Sequence, residues 1–290
     1  MHLIGWEPLM TKHTITAFML KLLAKLPLCI VHFLGSILGW TTYLSYKKYA
    51  NLINQNLKLS QLAVNKADFQ KTLRRNICET GKAFLETFAI WFQDYSTLPK
   101  WYQGCTGWQH VESALAQGKG IIFLTPHLGC FEITSLYYGQ FHPITVLFRP
   151  PRQDWIMPLM NQGRQRGQVC LAPANAQGVK QLLQALKRGE AIGILPDQAP
   201  HEGEGEWAPF FGRPAYTMTL ASKLAQKSGA HVLMAFGERL PNGRGYHIHI
   251  SPIAEGGINT PELLNQEIEK TISRCPSQYM WVYDRYKVRN

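Results

Sequence analysis

Four short apolar runs constrain this chain more than any other feature: GIIFLT (120–125), ITVLFR (144–149), QVCLA (168–172) and AIGILP (191–196). Each has the length of a buried strand and is too short for an ordinary helix. Helical patterns separate them over 131–139, 153–166 and 177–188. Such alternation needs crossover connections, which lay successive strands parallel in one sheet with helices on its faces. A later pair, HVLMAFGERL and GYHIHISPI, joined by PNGR, predicts a hairpin, and 261–274 predicts a last helix. The expected fold class is α/β: a mainly parallel sheet flanked by helices, with an N-terminal helical membrane anchor.

The anchor rests on a stretch without charge. Between Lys25 and Lys47 the chain reads LPLCIVHFLGSILGWTTYLSY, with no Asp, Glu, Lys or Arg. About 20 helical residues cross a ~30 Å hydrocarbon core. Two readings follow, a single membrane span or a helical hairpin lying in one leaflet; the plain alternative is a buried amphipathic helix pair. Lysines flank both ends (Lys12, Lys21 and Lys25; Lys47, Lys48 and Lys58), so the positive-inside rule selects no orientation. No small-residue cleavage site follows the apolar run, which argues against a removed signal peptide. Residues 47–97 read as helices, with Phe69, Leu73, Ile77, Phe84, Leu85, Phe88 and Trp91 at helical spacing. The expected organisation is an anchoring segment over 1–46, then one domain over 47–290, helical to 97 and α/β from 98.

Thirty Lys and Arg against nineteen Asp and Glu give a net charge of +11, which favours acidic partners. Basic clusters such as KRGE and RQRG carry no recognisable nucleic-acid-binding signature beside them, so nucleic acid is not expected. The six cysteines form no C-x-x-C pair and match no zinc spacing; they read as reduced, mostly buried thiols in a largely cytosolic protein. No metal or cofactor is expected. His247 and His249 share a strand face without a third ligand, and the remaining histidines apart from His127, His32 among them, show no partner in the sequence.

Sites in open α/β sheets form beyond the carboxyl ends of strands. LTPHLGCFE places His127 there, in a small-residue loop, and puts Glu132 in the first turn of the next helix. A carboxylate on one ring nitrogen fixes the tautomer and stabilises the imidazolium formed when the other takes a proton, making a general base for a hydroxyl. Taken alone, an H-x4-E spacing is as well explained by a loop histidine and a helix-start glutamate. Arg149 ends a strand on the same sheet edge, placed to clamp a phosphate; a strand-end surface charge is its alternative. Asp197 and Gln198 follow a strand in ILPDQ and are placed to orient an arginine or bind hydroxyls, unless they form an ordinary turn. The acidic, Gly-rich APHEGEGEW reads as a lid or a solvated turn. Trp207, Phe210 and Phe211 would line an apolar groove, dip into lipid, or fill the core.

HLGCFE after a strand, behind an apolar segment in a basic chain, resembles the H-x4-D/E motif of membrane acyltransferases. With LFRPPR, MNQGRQRG, GVKQLLQALKRGEAIGILPDQ, FFGRPAYTMTLA and PSQYMWVYDRYK in that order, residues 20–287 resemble the late lipid A acyltransferases, the Kdo-lipid A lauroyl and myristoyl transferases of Gram-negative bacteria. The resemblance implies an acyl-acyl carrier protein donor, a phosphorylated lipid A precursor as acceptor, and an anionic inner membrane, with catalysis on its cytoplasmic side. It implies His127 as the base, held by Glu132, and Arg164 on the oxyanion or on a substrate phosphate, with an exposed helix arginine as the alternative for Arg164. Arg149 would then meet a phosphate or the carrier's phosphopantetheine, and Asp197 would orient Arg164. A lysophospholipid or glycerolipid acyltransferase and a non-catalytic basic membrane adaptor are the competing expectations.

Overall fold

A computed structural model describes residues 12–151 and 153–287. The first eleven residues of the expected anchoring segment, His2 among them, the Arg152 that ends LFRPPR, and the last three residues of the chain lie outside the described residues.

Four helices come first: α1 (Lys12–Ala24), α2 (Leu28–Ser45), α3 (Lys47–Leu59) and α4 (Lys66–Phe92). Asn65 caps α4 by accepting from the Asp68 N–H at 2.9 Å. At the far end Arg166 donates to the carbonyls of Ile90 and Gln93 at 2.6 and 2.7 Å, so terminal acceptors that the helix leaves open are satisfied by a cation.

α2 lies against α4 at backbone distance. A Cβ on Gly81 would fall 2.0 Å from the Gly35 carbonyl oxygen, and one on Gly39 would fall 2.1 Å from the Ile77 carbonyl oxygen. Only glycine allows that approach. His32, which shows no partner in the sequence, finds one here: its Nε2 lies 3.0 Å from Glu86 Oε2. Glu86 also accepts from the buried Arg239 and from the Tyr246 hydroxyl at 2.9 Å, and Arg239 reaches on to Glu79. Burial pushes the Glu86 carboxyl up, but the Arg239 charge and the Arg239 and His32 bonds outweigh it and hold its pKa well below the ordinary glutamate value.

After β1 (Tyr102–Thr106) and α5 (Trp108–Ala116) come β2 (Ile121–Leu124), α6 (Phe131–Tyr138), β3 (Ile144–Phe148), α7 (Ile156–Arg164), β4 (Val169–Pro173), α8 (Ala176–Lys187) and β5 (Ala191–Ile194). β6 (Gly205–Phe210), β7 (Arg213–Met218), α9 (Leu220–Ser228), β8 (His231–Arg239), β9 (Tyr246–Pro252) and α10 (Pro261–Arg274) complete the described chain, with short 3-10 turns between some elements. The seven-stranded sheet runs β1-β9-β8-β2-β5-β3-β4, and only its β8–β9 pair is antiparallel. β2 and β5 are buried at every residue, as a central parallel strand covered on both faces must be. Ile121 and Phe123 pack with Val111, Ile133 and Leu136 on one face, while Ile122 and Leu124 pack with Leu182, Leu224 and Ile268 on the other.

The mainly parallel α/β sheet flanked by helices is the one expected, α2 is apolar and long enough to serve as an anchor, and the four predicted runs and the hairpin sit where the sequence places them. Two expectations change, and one is decided between its alternatives. The acidic Gly-rich stretch runs into β6, which pairs antiparallel with β7 in a separate two-stranded ribbon, so its last three residues are strand. Among the aromatic residues, Phe210 takes the core place, while Trp207 is exposed. The cysteines are all free, but Cys29 and Cys170 are exposed and only Cys130 is buried.

Candidate active site

The parallel pairing of β2 with β5 sets Leu124 opposite Ile194. His127 follows Leu124 by three residues and Asp197 follows Ile194 by three, each directly after a proline. Equal offsets from paired residues bring both side chains off the sheet at one height. The Thr125 N–H donates to the Ile194 carbonyl at 2.9 Å and ties the two loops at their base. The His127 loop is pinned from its other side. Cys130 N–H donates to Gly237 at 2.8 Å, Gly129 N–H to Gln278 at 3.0 Å, and Met280 N–H to the His127 carbonyl at 3.1 Å. Gly129 has φ +61° and would drive a Cβ to 2.1 Å from the Gly237 oxygen, so this turn requires glycine.

His127 is held twice by one carboxylate. Its backbone N–H donates to Asp197 Oδ2 at 2.8 Å, and its Nδ1 lies 2.8 Å from Oδ1. Asp197 is 2% exposed. Burial pushes its carboxyl up, but the His127 charge, the ring hydrogen bond and backbone N–H groups outweigh that, leaving its pKa below the ordinary aspartate value. An ionised Asp197 requires the proton on Nδ1, which leaves the Nε2 lone pair free to accept. Nε2 lies 3.2 Å from the Gln198 amide nitrogen, and the ring stands 4.8 Å from Phe131 between centroids.

The expected His127–Glu132 pair is not the one formed. Glu132, on the first turn of α6, gives both oxygens to the Arg164 guanidinium: Nε donates to Oε2 at 2.8 Å and Nη2 to Oε1. Trp91 Nε1 also donates to Oε2, at 3.2 Å, and the Arg164 guanidinium carbon lies 5.4 Å from the Trp91 ring centroid. No hydrogen bond joins Glu132 to His127. The reason is directional: α6 turns Glu132 toward α4 and α7, whereas the parallel register delivers Asp197 to the imidazole. Asp197 and Gln198 accordingly serve His127, and the expected contact of Asp197 with Arg164 is made by Glu132. Burial lowers the Arg164 pKa, but Glu132 beside it raises it further, so the guanidinium stays charged.

His127, Glu132, Arg164, Gln198 and Arg149 line one cavity of about 680 Å³, within the ~300–1,000 Å³ of small-molecule sites. Phe131, Val146, Leu171, Val179 and Leu195 give it an apolar wall. Among the described residues no hydrogen bond or ion pair holds the Arg149 side chain. Lys223 of α9 adds a further cation at the rim; the sequence gives no signal for it, since nothing in the chain order shows that α9 packs beside this cavity. Asp197 could have been found from the sequence, because LTPH and ILPD repeat one offset after two strands; what is missing there is that the strands are neighbours. Among the described residues no cluster of His, Cys, Asp or Glu is arranged to hold a metal ion. An imidazole with a buried carboxylate behind it, a guanidinium fixed by Glu132 and an apolar cavity lie together at this sheet edge.

Residues 6–288 match the family model described as bacterial lipid A biosynthesis acyltransferase. The chain is 28% identical to the lipid A biosynthesis lauroyltransferase of Escherichia coli K12 over 279 residues, covering 93% of this chain and 89% of that protein. It is 28% identical to the palmitoleoyltransferase of the same strain, with the same coverage, and 27% identical to a lipid A biosynthesis acyltransferase of Haemophilus influenzae over 91% of this chain and 86% of the relative. With nearly its whole length matched, the chain belongs to the bacterial lipid A biosynthesis acyltransferases.

Proposed function

We propose that this acyltransferase moves a fatty acyl chain from acyl carrier protein to a hydroxyl of a Kdo-lipid A precursor, at the cytoplasmic face of the inner membrane, with His127 as general base oriented by Asp197. The observation that carries the reading is the Asp197–His127 pair, whose acceptor nitrogen belongs to a side chain lining an apolar cavity. A thioester is already activated, so the enzyme needs no nucleophile of its own. The acceptor hydroxyl displaces Gln198 from Nε2 and gives up its proton as its oxygen attacks the thioester carbonyl. The oxyanion that develops meets the Arg164 guanidinium, which Glu132 and Trp91 hold in place. Collapse of the intermediate breaks the carbon–sulfur bond, and the imidazolium returns the proton to the departing thiolate. Glu132 is thus a positioning residue for Arg164. Arg149 and Lys223 supply positive charge for a phosphate of either substrate.

Mass spectrometry of lipid A from cells with and without the protein tests the acceptor. Loss of one acyl chain in the deletion strain is expected, and an intact lipid A with altered phospholipids would move the acceptor to a glycerolipid. Turnover of acyl-acyl carrier protein by purified protein, abolished in His127→Ala, tests the base.

A further inference from the structure

We infer that α1 and α2 lie flat in one leaflet of an anionic membrane and do not cross it. This rests on the reading that the protein works at a membrane, and it names how. α2 is long and apolar enough to span. Its two faces, however, have different neighbours along its length. Leu28, Val31, His32, Gly35 and Gly39 are buried. Ile30, Phe33, Leu34, Ile37 and Leu44 are exposed, at i, i+3, i+4, i+7 and i+14, on one face that is apolar apart from the exposed Thr41. A soluble helix would carry mostly polar residues there. Phe18, Met19 and Leu22 of α1 are exposed as well.

The buried face is what forbids a span. It is joined to α4 by backbone contact at Gly35, Gly39 and Gly81, and by His32 on Glu86. α4 carries Arg74, Arg75, Glu79, Lys82 and Glu86, and its Asn76 is bonded to the carbonyls of Ser277 and Tyr279 beside the active-site loop. Threading α2 through hydrocarbon would carry this charged helix and its bonded core along, at a cost no apolar stripe offsets. Laid in the plane, α2 sinks its stripe by the ~5–10 Å typical of interfacial helices and leaves α4 above the headgroups. The lysines fit the same placement. Lys21 and Lys25 precede α2, Lys47 and Lys48 follow it, and all four are exposed. In the plane both pairs meet one layer of anionic headgroups; across a membrane they would face opposite sides.

The test uses the full chain with Cys29, Cys78, Cys105, Cys170 and Cys275 replaced by serine and single spin labels at Phe33→Cys, Ile37→Cys and Leu44→Cys, bound to vesicles of phosphatidylethanolamine and phosphatidylglycerol. These positions are exposed, so the labels leave the packing intact. Oxygen and nickel accessibility gives each depth. The expected result is three depths agreeing within about 5 Å, the radius of a helix, with binding that weakens in vesicles lacking phosphatidylglycerol. A spanning helix would separate Phe33 from Leu44 by about 16 Å at ~1.5 Å per residue, and that gradient would overturn the inference. So would water-exposed labels on protein that does not float with vesicles, or a dimer of this chain that covers the stripe. Depth is read without turnover, so an inactive but flat-lying protein would sink the acyltransferase mechanism and leave this inference standing.

Discussion

Replacing Asp197 by asparagine isolates the feature that separates the structure from the sequence expectation. The shape is kept, and an amide oxygen can still accept from Nδ1, but the anion behind the imidazole is gone. The ring nitrogen and carboxylate oxygen are 2.8 Å apart, and the carboxylate is buried. Unit charges ~4 Å apart at an effective dielectric of ~20 interact by about 4 kcal/mol. That interaction is made fully only when His127 becomes imidazolium, so most of it is lost from the transition state and little from the resting enzyme. At about 1.4 kcal/mol per decade, kcat falls by about 10²- to 10³-fold, the smaller figure applying where the amide keeps the ring bond. The assay is acyl transfer from acyl-acyl carrier protein to the lipid A precursor in detergent, with circular dichroism and thermal unfolding as controls for folding. Glu132→Gln runs beside it and is expected to lower kcat through a loosened Arg164. If Asp197→Asn stays within a few-fold of wild type while Glu132→Gln falls a thousandfold in a folded protein, the assignment of Asp197 as the orienting acid is wrong.

Arg149→Ala is expected to raise KM several-fold with kcat nearly unchanged, because a phosphate contact is made equally in the ground and transition states; steady-state kinetics decide it. Glu86→Gln strands the buried Arg239 with only Glu79 to answer it, and should cost about 3–5 kcal/mol in denaturant unfolding. Gly81→Ala must push α2 away from α4 and should cost about 1–3 kcal/mol in the same measurement, since the colliding atoms are backbone. Asp197 and Glu86 both titrate below their ordinary values. Their contribution to stability is therefore complete above the ordinary carboxylate range and is lost as pH falls through the depressed values, so unfolding free energy should decline below about pH 4 and hold steady up to neutrality.

The parts of the fold that could be read from sequence are those where one rule acts alone. β2 and β5 are buried on both faces and therefore read as unbroken apolar runs. α4, α8 and α10 pack one face against the core and show it in their spacing. β6 and β7 escape notice because Glu206 and Trp207 are exposed in succession, which breaks the alternation, and because the ribbon carries Gly205, Pro209 and Pro214. β1, an edge strand reading YQGCT, has too little apolar content to stand out. Within the site, His127 and the sheet edge it occupies follow from the strand before it. Its partner does not, because the choice between Glu132 and Asp197 depends on which strand lies beside β2. Five residues along the chain is a weaker tie than one step across the sheet.

α4 also acts as a strut. Gly81 near its middle touches α2, and Trp91, one residue from its end, holds the Glu132 that fixes Arg164. With α2 flat in the leaflet, that rigid link sets the altitude of the reacting atoms above the lipid. An acceptor still seated among its neighbours would need to rise only as far as the strut dictates, and variants that lengthen or tilt it would change which hydroxyl comes within reach.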